Sequence, residues 1–271
     1  DVSVVPYLPH RVSEGHGLSS ESVQQLVSQG VSLIITVDCG VTSVAEVAEA
    51  KQSGADVIIT DHHTPPATSP NAIAIINPKI AGNQYPFGDL CGAGIAFKLM
   101  QGLYQYYGQA WSPALMELAA LGTIADLVPL VDENRFLVRQ GLIELAQTQR
   151  PGLRALYRRA NVKSESLNTE TVSFQIAPRL NAAGRMSHAI ESLQLLTTKS
   201  ESEAEHLAQR LEELNQDRRD LTEQAFAAAG RQVNHQSSLP SILIVEDPCI
   251  TPGIAGLVAG RLVEKHHRPA V

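Results

Sequence analysis

The 271 residues are enough for one large domain or two ordinary ones. A hydrophobic content of 44% with 18% charged residues describes a globular protein, and no run approaches the roughly 18 apolar residues of a membrane span. The formal charge of −7 speaks against a protein that coats nucleic acid, while leaving room for a cleft enzyme that grips a few phosphates.

Val2–Leu8 reads as a strand that ends in Pro9-His10-Arg11. Ser19 or Ser20 can cap a helix to about Ser28, with Val23, Leu26 and Val27 on its apolar face and Gly30 after its end. Leu33–Val37 is a continuous apolar run, as expected of a parallel strand buried on both faces. Ser43 can cap the next helix, striped by Val44, Val47 and Ala48 and ending at Gly54. Asp56–Thr60 and Ala72–Ile76 follow as strands, the second stopped by Asn77-Pro78. This β-α-β-α-β order predicts an α/β fold with a parallel sheet and right-handed crossovers.

From Cys91 the pattern turns helical, with Ile95, Leu99, Leu103 and Tyr106 on one face. Further helices are expected from Pro113 to about Gly122, over Asn134–Thr148, Pro151–Ala160 and Glu170–Ile176, and then a small-residue turn flanked by Arg179 and Arg185. A long helix from Glu203 to about Ala229 carries a charged face that reads as solvated. Gly230 to Ser238 is a linker, Ser241–Val245 a strand, Gly253–His266 a helix and Ala270-Val271 the start of another strand. The expected domains are therefore 1–132, a helical connector over 133–237, and 238–271. Cys39, Cys91 and Cys249 are odd in number, far apart and form no C-x-x-C pair, which argues against disulfides and structural zinc and suits a reducing cytoplasm.

The chemistry concentrates at two strand ends. Ligands of open parallel sheets bind beyond the carboxyl ends of the strands, where Asp38 and the run Asp61-His62-His63 fall. Asp126, among apolar residues, needs a partner or a metal. Carboxylates mixed with imidazole suit Mn²⁺ or Mg²⁺, and two such ions about 4 Å apart can activate water and stabilise the leaving oxygen of a phosphoester. Asp38, His62 and Asp126 are the expected metal ligands. Asp61 is expected to orient an imidazole, and His63 to hold a phosphate oxygen. Three ligands are too few for two ions, so further carboxylates must come from elsewhere. Arg179 and Arg185 read either as solvated charges or as a phosphate clamp, and Arg11 has the same two readings. Gly92-Ala93-Gly94 before a helix could cradle phosphate, but tight packing explains it as well.

Asp61-His62-His63 resembles the signature of the DHH phosphoesterases. Val37-Asp38-Cys39-Gly40, Cys91 to Leu99 and Gly122 to Asp126 are similar to segments of the RecJ-type single-strand-specific exonucleases within that family, and Pro178 to Arg185 is the most specific piece. Gly253 to Arg261 resembles the start of the DHH-associated domain. The resemblance covers nearly the whole chain. It implies a 5′-to-3′ exonuclease on single-stranded DNA in recombination and repair, using Mn²⁺ or Mg²⁺ in a two-metal site. It also implies single-strand-binding protein and a helicase as partners, and DNA contacts from Arg11, Arg179, Asn181, Arg185 and Arg261. The family's Asp-rich first motif would lie before Asp1, so the chain reads as an internal portion, inactive alone. The alternatives are a DHH phosphodiesterase for short oligonucleotides or dinucleotides, and a non-catalytic replication scaffold.

Overall fold

The computed structural model describes residues 3–11, 13–234 and 239–271. In chain order the elements are α1 (Ser20–Ser28), β1 (Leu33–Val37), α2 (Val44–Gln52), β2 (Asp56–Thr60), β3 (Ala74–Ile76), α3 (Gly92–Tyr106), α4 (Leu115–Ala125), α5 (Asp132–Ala146) and α6 (Pro151–Ala160). Then come α7 (Thr169–Thr171), a π-helical turn over Val172–Ile176, α8 (Ala177–Met186), α9 (Ile190–Thr197), α10 (Glu201–Asn234) and α11 (Pro252–His266). They form two compact units. The first holds Asp1–Pro9, Glu14–Gln149 and Asn161–Ala177; the second holds His10–Ser13, Arg150–Ala160 and Pro178–Val271. Among the described residues no helix is long and apolar enough to cross a membrane.

The first unit is built on a parallel sheet of order β1-β2-β3, the α/β arrangement expected. Ser19 caps α1 in a reciprocal box with Ser22, which satisfies two backbone donors at the helix start. Val23 and Leu26 of α1, Val47 and Ala50 of α2, and Ile34, Val57 and Ile59 of the sheet share one apolar cluster. The α2 stripe is therefore Val47 and Ala50; Val44 and Ala48 are exposed, and Ser43 makes no side-chain cap. A second cluster joins Leu90, Ile95, Phe97, Met116, Ala119 and Leu137.

Several expectations are corrected. Within the expected strand Val2–Leu8, Val2 lies outside the described residues and residues 3–8 form no strand. Extended backbone needs a hydrogen-bonded neighbour, and none pairs with this segment among the described residues. β1 is not buried on both faces: Ile34 and Thr36 point inward while Leu33, Ile35 and Val37 share the other face, which nothing among the described residues covers. β3 begins at Ala74 rather than Ala72. In α3 the outer residues Leu103 and Tyr106 are exposed, and burial falls on Gly92, Gly94, Ile95 and Phe97. The α4 helix runs on to Ala125, and α5 is shifted to Asp132–Ala146.

The second unit is helical. Its core gathers Ala225, Ala229 and Val233 of α10 with Ile254, Val258 and Leu262 of α11 and Leu243. Gly152 lies in the first turn of α6, where a Cβ would meet the Leu195 carbonyl oxygen at 1.8 Å, so this helix contact demands glycine. The expected small-residue turn is instead the helix α8: Ala182 and Ala183 are small because they are fully buried, not because the chain bends there. α10 continues through the buried Gly230 to Asn234, which replaces the first part of the expected linker; residues 235–238 lie outside the described residues. The expected strand Ser241–Val245 is reduced to one parallel bridge between Leu243 and Ala270, and among the described residues no further strand flanks it.

Candidate metal centre

Parallel pairing of Val37 with Thr60 sets the tips of β1 and β2 side by side. The Asp38 N–H donates to the Thr60 carbonyl at 2.9 Å, which carries the ladder one residue beyond β1. Asp38 then takes φ +64°, a left-handed conformation that Asp and Asn tolerate better than other side chains. Gly40 follows at φ +105°, where a Cβ would stand 2.7 Å from Thr36 Oγ1. Thr36 Oγ1 meanwhile donates to the Cys39 carbonyl at 2.8 Å, and Thr60 Oγ1 to the Thr36 carbonyl at 2.7 Å. Both hydroxyls pin the turn that presents Asp38.

Asp61 is the buried anchor of the second tip, with only 1% of its surface exposed. Its Oδ2 accepts from the Val41 N–H at 2.9 Å. Its Oδ1 accepts from the N–H groups of His62 (2.8 Å) and His63 (3.2 Å), and lies 2.7 Å from His63 Nδ1. Burial pushes this carboxyl up, but the Val41 N–H, the His63 imidazole and the two backbone donors outweigh it and hold Asp61 below the usual carboxylate range. The imidazole it orients is that of His63, whose side chain is 59% exposed. Asn77, buried just after β3, donates through Nδ2 to the His63 carbonyl at 2.9 Å and accepts from the Lys79 N–H through Oδ1 at 2.8 Å, so the loop is held from both sides.

His62 turns inward instead. Its Nε2 lies 3.1 Å from Asp38 Oδ1 and 3.6 Å from Asp126 Oδ2, and a ligand atom from each of Asp38, His62 and His63 can be chosen within 4.8 Å of the others. Burial pushes the Asp38 carboxyl above the ordinary range; the neighbouring His62 opposes this and Asp126 adds to it. Burial, with Asp61 and Asp38 adding, raises the Cys39 thiol to about 11, so it stays protonated at neutral pH and is a poor nucleophile.

Asp126 arrives from a different element, at the C-cap of α4. Gly122 on α4 packs on Ala93 so closely that a Cβ would meet the Ala93 Cβ at 2.3 Å. The Cys91 sulfur lies 3.4 Å from Thr123 Oγ1 at the same crossing. This contact fixes the end of α4 beside the start of α3. Leu127 then turns the chain away at φ +58°, a strained conformation for leucine next to a site residue. Gly92, the first residue of α3, has a role the sequence reading did not assign: a Cβ there would stand 2.2 Å from Asp38 Oδ1. Its signal was the G-x-G pattern, which by itself does not say what the missing side chains make room for.

The donor set fits a hard or borderline divalent cation, being two carboxylates and an imidazole without thiolate. Ligand atoms about 2.1 Å from an ion and at right angles stand about 3 Å apart. Asp38 Oδ1 meets that spacing from His62 Nε2 at 3.1 Å, Asp126 Oδ2 stands wider at 3.6 Å, and the described group whose ligand atoms all lie within 4.8 Å of one another is Asp38, His62 and His63.

The residues expected to touch nucleic acid, Arg11, Arg179, Asn181, Arg185 and Arg261, all belong to the second unit. Arg11 and Asn181 are exposed. Arg179 is paired with Glu212. Arg185 Nη1 donates to the Gly253 carbonyl at 3.1 Å. Arg261 pairs with Glu223 at 2.6 Å and lies over the Phe226 ring at 4.1 Å.

Residues 1–123 match the DHH family, N-terminal domain. Over 98% of its length the chain is 42% identical to the single-stranded-DNA-specific exonuclease RecJ of Bacillus subtilis (strain 168). Residues 1–123 of the chain belong to the DHH family. Another relative of the chain is RecJ of Escherichia coli (strain K12), 38% identical over 99% of the chain. A crystal structure of exonuclease RecJ bound to manganese superimposes with a TM-score of 0.87 at 36% identity, covering 98% of this chain and 66% of that one. The chain spans 33% of the first relative and 50% of the second, so it corresponds to a part of their length.

Proposed function

We propose that this chain is the catalytic DHH portion of a metal-dependent 5′-to-3′ exonuclease that hydrolyses phosphodiester bonds of single-stranded DNA. The observation that carries the reading is the convergence of Asp38, His62 and Asp126 at the strand tips, at 3.1 and 3.6 Å. Asp38, His62 and Asp126 would hold Mn²⁺ or Mg²⁺, which, when bound, supplies Lewis-acid activation of water and of the phosphoryl group. The relatives described above are single-stranded-DNA-specific exonucleases, and one was crystallised with manganese, which supports both substrate and cation.

The protein's own residues have distinct tasks. An ionised Asp61 accepts from His63 Nδ1–H, which fixes the ring and leaves Nε2 to meet a phosphate oxygen or to exchange a proton. Asp38, in its left-handed turn, and Asp126, at its helix end, present carboxylates without needing to reorganise. The arginines of the second unit supply charge for the strand. Such an activity belongs to recombination and repair. A helicase would generate its substrate and a single-strand-binding protein would coat it.

The test offers the protein a long single strand, the matching duplex and a dinucleotide, each with Mn²⁺ and with chelator. Release of mononucleotides from the 5′ end of the single strand, only with the cation, is the expected result. Preference for the dinucleotide would reassign the site to a small-substrate phosphodiesterase. Failure to bind Mn²⁺ would remove the enzymatic reading altogether.

A further inference from the structure

A cleft of about 430 Å³ lies wholly within the first unit, a size in the range of about 300–1,000 Å³ that small-molecule sites occupy. Its walls are aliphatic. Ile75, Ile76 and Ile80 come from β3 and the loop after it, and Leu90 and Ile95 from the approach to α3 and its first turn. Asn77 forms part of the wall and also donates to the His63 carbonyl. None of Asp38, Asp61, His62, His63 or Asp126 lines the space, so the cleft is separate from the metal centre.

One corner is polar, and a single carboxylate builds it. Glu133 of α5 accepts from the Tyr85 hydroxyl through Oε2 at 2.6 Å and pairs through Oε1 with Lys98 Nζ at 3.0 Å. Tyr85 and Lys98 both line the cleft. Burial and the bond to Glu133 push the Tyr85 phenol well above its usual range, so the hydroxyl stays protonated and its oxygen is an acceptor. Of the three Lys98 Nζ protons, Gln101 Oε1 at 2.8 Å and Glu133 take two, which leaves one donor. The other amides of the wall serve the loop itself. Asn77 Oδ1 accepts from the Lys79 N–H, Asn83 Nδ2 donates to the Asn77 carbonyl, and Asn83 Oδ1 accepts from the Tyr85 N–H, each at 2.8 Å. Glu133 cancels the Lys98 charge, so the corner suits neither a free anion nor a cation. It offers one donor beside one acceptor at the end of an aliphatic space. That pattern complements a flat ring whose edge carries a C=O next to an N–H.

We propose that the cleft binds a keto nucleobase (thymine, uracil or guanine), with its carbonyl accepting from Lys98 Nζ and its ring N–H donating to Tyr85 Oη. The ring lies against the isoleucines. In their nucleosides, adenine and cytosine present no carbonyl next to a ring N–H. The base belongs either to a bound strand or to a free nucleoside. The proposal goes beyond the hydrolytic reading and does not depend on it.

The experiment titrates thymidine into the protein in chelator by calorimetry, beside thymidine that carries a methyl group in place of its ring N–H proton. One equivalent of thymidine is expected to bind, and the methylated nucleoside roughly tenfold more weakly, as for loss of one hydrogen bond. Tyr85→Phe should bring thymidine down to the level of the methylated nucleoside and leave the latter unchanged. Lys98→Met should weaken both by roughly tenfold or more, because it removes a charged donor. Ala81→Trp, at an exposed position of the lining, should fill the cleft and abolish binding of both while Mn²⁺ affinity stays that of the wild type. Absence of thymidine binding overturns the proposal. So does equal affinity of the wild type for the two nucleosides, or a Tyr85→Phe variant that still tells them apart. If Lys98→Met does not fold, Tyr85→Phe carries the decision. A saturating oligothymidylate that displaces thymidine supports the site with the strand as the source of the base. Thymidine binding that ignores the strand supports it with a free nucleoside as the source. A protein that holds thymidine but binds no single strand would sink the hydrolytic reading alone.

Discussion

Replacing Asp38 with asparagine keeps the shape of the side chain and removes its charge. The backbone at this position has φ +64°, which asparagine adopts about as readily as aspartate, whereas Asp38→Ala would add strain of about 1–2 kcal/mol. Without metal the charged Asp38 weighs only slightly against the fold: its side chain is 55% exposed, and partial burial and then Asp126 raise its carboxyl against the opposing pull of His62. A raised carboxyl means that the folded state binds the proton more tightly, so stability falls as pH rises through the folded value. Asp38→Asn should therefore be at least as stable as the wild type at neutral pH in chelator, and the difference should vanish as acid protonates Asp38. With metal the order reverses. Cation at a hundred times its dissociation constant stabilises the folded state by about 2.7 kcal/mol. At about 2–4 °C per kcal/mol, that is a rise of about 5–10 °C in melting temperature for the wild type. The variant, with a neutral oxygen where a charged ligand stood, should show little of it. Thermal unfolding across pH, with Mn²⁺ or chelator, reads both effects. An undiminished Mn²⁺ shift in Asp38→Asn, or a variant clearly less stable than wild type in neutral chelator, would refute the reasoning.

Gly92→Ala places a Cβ 2.2 Å from Asp38 Oδ1, so the carboxylate must leave its position. Mn²⁺ affinity should drop at least tenfold and stability by about 1–3 kcal/mol of overpacking, measured by titration and melting. Asp61→Asn removes the charge that gathers the Val41, His62 and His63 donors. Because the Asp61 carboxyl lies below its ordinary range, its stabilisation is complete above that range and is lost as pH falls through the lowered value. The variant should be less stable at neutral pH and lose less stability on acidification, which a pH series of denaturation curves will show.

Two strand ends could be read directly from the chain, because each is an apolar run that stops at a polar residue. Leu33–Val37 leads into Asp38, and Asp56–Thr60 into Asp61-His62-His63. Parallel pairing of consecutive strands follows from the short helical crossover, so the meeting of Asp38 and His62 was legible too. The imidazole partner of Asp61 was not. Which imidazole Asp61 holds depends on how the loop after β2 turns, and Asn77, from a separate strand end, helps to decide that. The charged face of the long helix read as solvated, whereas Asn215 and Thr222 of that helix are buried, since what covers a helix face is not written in the helix itself.

The chain alone determined the kinds of ligand, the order of strand and helix, and the presence of small residues at close contacts, because these depend on side-chain chemistry and local periodicity. Only the tertiary structure decided that the end of α4 would bring Asp126 to the strand tips. It also decided that Gly92 would leave room for Asp38, and that residues 3–8 would join no strand among the described residues. Those outcomes hang on which surfaces meet, a long-range choice between crossings that no stretch of sequence encodes by itself.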